Sequence, residues 1–226
     1  MLLTYVNLAT VIAGSFIGLA FGKYFPERII KLVFQGMSAL TIYLGVDMCN
    51  QSTSPLIMIL SIVIGSIIGE LINIEKGISN LGTSLNKRFK SKNNDNFNDG
   101  IITAFLLYCI GTMAFLGPLE EGLKGHSDLL LTKSILDGFS SIILCARLGY
   151  SVIFSIVPMF VLQGSINLFA QSIQDKISDF MLAEMTALGG ILLICLGLNL
   201  LEVSKIKVTN MIPGLLVAII LAYFMQ

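Results

Sequence analysis

Eight stretches of this chain are each long and apolar enough to cross a lipid bilayer as a helix, and they leave little of it outside. A hydrocarbon core about 30 Å thick needs roughly 20 apolar residues at helical rise. The stretches run from Tyr5 to Phe21, Ile29 to Met48, Pro55 to Ile74, Gly100 to Gly117, Leu129 to Leu148, Tyr150 to Ala170, Phe180 to Leu201 and Met211 to Phe224. A mean hydropathy of +0.86, with 55% hydrophobic and 12% charged residues, leaves too little polar surface to solvate a globule. The expected fold is all-α: a polytopic membrane protein of about eight transmembrane helices forming one integral membrane domain over residues 1–226. The fifth stretch carries Lys133 and Asp137 in its first turns and also reads as a re-entrant segment.

Charge placement sets an expected orientation. Of the 14 Lys and Arg residues, all but Lys124, Lys133 and Lys176 fall on one side of an eight-span chain. The positive-inside rule puts that side in the cytoplasm and both termini outside a bacterial inner membrane. No positive region precedes the first stretch, so it is expected to stay as an uncleaved helix. The connection from Glu75 to Asn98 sets Ile78, Leu81, Leu85 and Phe89 at helical spacing ahead of a basic run from Lys87 to Lys92. It reads either as an amphipathic helix on anionic lipid followed by a linker, or as a solvated loop with ordinary positive-inside charge.

An internal echo organises the rest. L-T-I-Y-L-G-V-D-M over Leu40 to Met48 returns as L-L-I-C-L-G-L-N-L over Leu192 to Leu200. V-I-A-G-S at Val11 to Ser15 resembles V-L-Q-G-S at Val161 to Ser165, and Pro55 has a counterpart in Pro213. Spans one to three (residues 1–74) thus pair with spans six to eight (150–226), and an offset of five spans makes the units run in opposite directions. Residues 75–98 form the cytoplasmic connection, and 99–149 carry spans four and five between the repeats. Gly14, Gly18 and Gly22 line one face of the first span, and Gly65 with Gly69 form a GxxxG in the third. Such faces suit close helix packing, within the protomer or across a homo-oligomer, a dimer first.

Polar groups at membrane depth are the candidates for chemistry, because an unpartnered charge there costs at least about 2.5 to 3.5 kcal/mol. Gln163 and Asn167 lie one turn apart beside Gly164 and Ser165; Gly14 and Ser15 match them in the first span, and Gly111 with Thr112 in the fourth. Local unwinding at the Gly-Ser pairs would free carbonyls for a cation, with the amides of Gln163 and Asn167 as monovalent-cation ligands. The same amides also serve as glue between helices. Lys133 and Asp137, one turn apart, can neutralise each other in a wet cavity. Asp47 echoes Asn199, while Glu70 and Glu184 sit near span ends, where a carboxylate reaches headgroup water. Glu120, Glu121 and Asp128 around His126 read as an acidic outer loop.

Other function classes find little purchase. The four cysteines, Cys49, Cys109, Cys145 and Cys195, form no C-x-x-C pair and no cluster with the lone histidine, so they read as free, small hydrophobes. An intramembrane enzyme would need a nucleophile with a base or an H-E-x-x-H, and neither stands here, so no enzyme and no cofactor are expected. Zero net charge without a basic stripe interleaved with aromatics gives no reason to expect nucleic acid. The remaining readings are a transporter or channel for an inorganic cation or small solute, and a structural or regulatory membrane protein.

Five motifs resemble the YqgA/YdfK family of bacterial inner-membrane proteins: I-G-S-I-I-G-E-L-I-N-I-E from Ile64, T-A-F-L-L-Y-C-I-G-T-M-A-F-L-G from Thr103, K-S-I-L-D-G from Lys133, L-Q-G-S from Leu162, and L-A-E-M-T-A-L-G-G-I-L-L-I-C-L-G-L-N-L-L from Leu182. The resemblance covers essentially the whole chain. It implies a domain of unknown function that carries the label of sodium channel or pump. It singles out Asn7, Glu70, Thr103, Thr112, Lys133, Asp137, Gln163, Glu184, Asn199 and Asn210. The family pattern follows the glycine closing the fourth span with an amide and an aspartate, whereas this chain has Pro118, Leu119, Glu120 and Glu121 there.

Overall fold

The computed structural model describes residues 1–22, 24, 26–76, 97–109, 112–174 and 177–225. The described residues are helical with short connections and carry no strand. The long helices are α1 (Leu2–Phe21), α2 (Glu27–Cys49), α3 (Pro55–Ile72), α4 (Phe97–Cys109), α5 (Thr112–Lys124), α6 (Asp128–Leu148), α7 (Ile156–Leu168), α9 (Asp179–Leu200) and α10 (Pro213–Met225), with a short α8 (Ala170–Gln174). Among the described residues six stretches are long and apolar enough to cross a membrane, or seven if α4 and α5, bent by 57° from each other, make one span. One of the six is a 41-residue run from α6 through a 3-10 turn (Gly149–Ser155) into α7. The eight-span expectation divides that run at Leu148, where Gly149 takes φ 77° and ends α6. The expected amphipathic segment around Ile78 to Phe89 and the Lys87 to Lys92 run lie outside the described residues.

Two compact units can be described separately: Met1–Phe34 with Gly82–Lys176, and Gln35–Leu81 with Ile177–Gln226. In the first, the glycine ladder of α1 lies on α6. A Cβ at Gly14 would strike Ser141 and the Gly138 backbone, one at Gly18 the Ile142 carbonyl, and one at Gly22 would come within 3.0 Å of Ala146. Residue numbers climb together along both helices, so the two run parallel. Lipid is as apolar as leucine, so the pair is held by this close backbone approach and by side-chain hydrogen bonds more than by exclusion of water. α5 lies against α7 and α8 through Leu119, Ile166 and Ala170, and Gly122 lets it approach the Asn167 carbonyl.

The expected unwinding at the Gly-Ser pairs does not occur. α1 is continuous through Gly14 and Ser15, and α7 through Gly164 and Ser165. Gly14 serves contact with α6, and Ser165 satisfies its hydroxyl on the Leu162 carbonyl at 2.8 Å, so neither frees a backbone carbonyl.

In the second unit, α3 buries a narrow stripe of Ile57, Ser61, Gly65 and Gly69, one residue per turn. Gly65 meets Gly214 and Gly69 meets Asn210 as α10 runs antiparallel beside it. α2 and α9 cross with a contact pattern that repeats itself. A Cβ on Gly45 would meet the Gly190 carbonyl oxygen and Ile194 Cγ1; one on Gly197 would meet the Ser38 carbonyl oxygen and Ile42 Cγ1. The shift that carries Leu40 onto Leu192 carries Gly45 onto Gly197, Ser38 onto Gly190 and Ile42 onto Ile194. Each helix thus presents equivalent positions to the other, as two antiparallel helices do around a two-fold axis perpendicular to both.

Candidate functional site: a buried ion pair joined by two amides

The face of α6 that meets α1 is polar. Ser127 caps the helix by accepting from the Leu130 amide, and the buried residues that follow include Lys133, Ser134, Asp137 and Ser141. Lys133 Nζ lies 2.6 Å from Asp137 Oδ2, and the two side chains are each 7% exposed. Helical spacing supplies this contact, since positions i and i+4 stack on one face. Asn7 of α1, fully buried, donates through Nδ2 to Asp137 Oδ2 at 3.2 Å and to Gln163 Oε1 of α7 at 3.3 Å. Thr10, one turn on, donates to the Ser134 carbonyl at 2.9 Å and fixes the height of α1 against α6. Three helices therefore meet at one carboxylate, one ammonium and two amides.

The network is incompletely satisfied. Among the described residues, Asn7 Oδ1 and Gln163 Nε2 are buried and make no hydrogen bond. A buried amide atom without a partner costs about 1 to 3 kcal/mol, so this is an expensive arrangement to keep for packing alone. Tyr108 of α4, fully buried, lies beside Ser141 and adds a phenol to the same region.

A second buried carboxylate was not legible as such. Glu121 of α5 is 1% exposed. Its Oε1 accepts from the Leu3 amide at 2.6 Å, and its Oε2 from Thr4 N at 3.2 Å, Thr4 Oγ1 at 2.7 Å and Asn167 Nδ2 at 2.7 Å. The expected acidic loop is instead the end of α5 and the start of α6: Glu120 is partly exposed within α5 and pairs with Lys124 at 2.9 Å, Asp128 is exposed at the first residue of α6, and Glu121 is buried. The signal was the spacing: Glu120 to Lys124 claims the outer face, leaving Glu121 on the face of Gly117 and Pro118.

The remaining expected positions take structural posts. Asn167 gives its amide to the Glu121 carboxylate, whereas Gln163 accepts from Asn7 and reaches the Lys133–Asp137 pair only through it. Ser15 lies buried beside Cys145, and Gly164 makes ordinary contact with Phe160. Thr112 opens α5. In the second unit, Glu184 accepts from Ser52 Oγ at 2.7 Å, Thr53 N at 2.8 Å and Ser54 N at 2.9 Å, tying the start of α3 to α9. Glu70 holds Asn210 at 2.6 Å and Lys207 at 2.7 Å at the opposite end of α3, and this contact raises the Lys207 ammonium above its ordinary range. Asn199 closes the loop after α9 by bonding Ser204 and both backbone groups of Ile206. Asp47 is exposed. Among the described residues no group of three His, Cys, Asp or Glu side chains is placed to hold a metal ion.

Two relatives run nearly the full length of the chain. An uncharacterized membrane protein YdfK of Bacillus subtilis is 37% identical over 218 residues, covering 95% of this chain and 92% of the relative. The uncharacterized protein YqgA of Escherichia coli is 26% identical over 218 residues, covering 95% and 93%. No solved structure matches the chain. The model of the family described as Protein of unknown function (DUF554) matches residues 2–223, and the chain, a membrane protein with several apolar helices, belongs to that family.

Proposed function

We propose that this protein moves a small ion or small solute across the bacterial inner membrane, a monovalent cation being the first candidate. The observation that carries the reading is the Lys133–Asp137 pair extended by Asn7 and Gln163, with Asn7 Oδ1 a buried acceptor that finds no partner among the described residues. A membrane protein built only to hold its helices together gains little from a buried ion pair that apolar residues would replace without loss. A pathway needs such groups: Asp137 and the acceptor oxygen of Asn7 suit a cation, and Lys133 keeps the carboxylate neutralised without one.

Two further features support the reading. Within each unit the polar contacts join helix ends that an eight-span alternation would put together: in the first, the end of α5 with the start of α1 and the end of α7; in the second, the start of α3 with the start of α9, and the end of α3 with the turn before α10. The self-repeating contacts of α2 with α9 suit an inverted relation of the second span to the seventh, part of the expected repeat, an architecture in which transport sites recur. The alternative, a structural or regulatory membrane protein, draws on Glu121 and Glu184, each of which ties one helix to the start of another. Flux through the purified protein in liposomes decides between them, and only transport predicts flux that falls when Gln163 is shortened.

A further inference from the structure

The candidate site depends on α1 and α7 standing at one height relative to each other. Asn7 donates to Gln163 at 3.3 Å, so sliding either helix by a fraction of a turn removes the contact. Among the described residues of the site, Asn7 is the one hydrogen-bonded to both α6 and α7, and it uses the same Nδ2 for both. Something outside the site must therefore hold the register.

Glu121 is placed to do so. It sits on α5, and α5 is packed onto α7 by Leu119 with Ile166 and by the close approach of Gly122 to the Asn167 carbonyl, and onto α8 at Ala170. From there its two oxygens take up Leu3 N, Thr4 N and Thr4 Oγ1 of α1 together with Asn167 Nδ2 of α7. Thr4 lies one turn before Asn7, and Asn167 one turn after Gln163. One carboxylate thus grips both helices a turn away from the point where their amides meet. Every neighbour named is a donor, so an ionised carboxylate fits all of them and an amide does not.

We propose that Glu121 is a positioning residue: it locks α1 to α7 at the register that brings Asn7 to Gln163, and so makes the geometry of the candidate site depend on α5. The functional half of this statement rests on the transport reading; the register half does not.

A cross-linking experiment reads the register directly. Tyr5 and Phe160, stacked at 5.9 Å between ring centroids on the accessible side of α1 and α7, mark the same pair of helices without touching the site. In full-length protein with Cys49, Cys109, Cys145 and Cys195 replaced, Tyr5→Cys with Phe160→Cys is treated with a short thiol cross-linker in membranes. Adding Glu121→Gln should cut cross-linking by roughly threefold or more, because the amide nitrogen opposes the Thr4 and Asn167 donors. Thr4→Val, which removes one donor and keeps the shape, should cut it less and tests the proposal if Glu121→Gln fails to fold. In liposomes the same changes should raise the half-saturating cation concentration while a maximal rate persists. Cross-linking at the parent level in folded Glu121→Gln or Thr4→Val protein overturns the proposal. Absence of flux in the parent protein sinks the transport reading, and the cross-linking result still decides whether Glu121 holds the register.

Discussion

Asn7 and Gln163, 156 positions apart in the chain, share an amide–amide hydrogen bond of 3.3 Å inside the first unit. Its direction is imposed from one side. Asp137 Oδ2 only accepts while ionised, so Asn7 must turn its Nδ2 toward it, and Gln163 must in turn offer Oε1 to that nitrogen. Among the described residues Asn7 Oδ1 and Gln163 Nε2 are left with no partner. The charge on one carboxylate thereby fixes what two amides present to anything that enters.

The ion pair should reveal itself by asymmetric cost. Asp137→Asn leaves the Lys133 ammonium buried without its carboxylate and is expected to destabilise the protein by about 3 to 5 kcal/mol. Lys133→Leu together with Asp137→Leu removes both charges and should recover most of that loss. Thermal unfolding in detergent checks both. A double variant as unstable as Asp137→Asn alone would mean that the cost is not one of charge.

Gly18 and Gly36 make a matched pair of tests for the packing. A Cβ on Gly18 meets the Ile142 carbonyl, whereas one on Gly36 meets nothing within 4 Å. Gly18→Ala should destabilise by about 1 to 3 kcal/mol, while Gly36→Ala should be neutral or mildly stabilising. Equal effects at the two sites would show that α1 does not lie on α6 as described.

Orientation follows from labelling at two exposed loop positions. A thiol at His126→Cys should react with an impermeant reagent in intact cells, and one at Lys205→Cys only after the membrane is opened. The reverse pattern would turn the protein over. Labelling of both sites from outside would break the alternation on which the inverted repeat depends.

The helices were readable because hydropathy acts residue by residue: the first span ends at Phe21 in both views, and the third begins at Pro55. Faces were readable but partners were not. The glycine ladder announced a close contact, yet nothing in residues 14–22 says that Gly138, Ile142 and Ala146 of α6 receive it. The Gly-Ser pairs misled, because glycine in a membrane helix serves close packing at least as well as unwinding. Lys133 with Asp137 stood out by spacing alone. Asn7 entered only through the family resemblance, since one asparagine near the chain start forms no pattern. Glu121 was missed because the fourth span was expected to end at Gly117, leaving two adjacent acids in a loop, whereas α5 runs on to Lys124 and a helix sends neighbours to different faces.

Flux through Gln163 variants tests the central claim most directly. Purified protein in tight liposomes should pass a small monovalent cation, sodium first, under an imposed gradient. Gln163→Ala should lower that flux while the protein stays folded, because it removes an amide whose Nε2 has no partner among the described residues. Gln163→Leu should lower it further, since an apolar side chain then fills the place of the amide beside Asn7 and Asp137. Folded, oriented protein that leaves liposomes tight to sodium, potassium and protons, or flux that Gln163→Leu does not alter, would contradict the account.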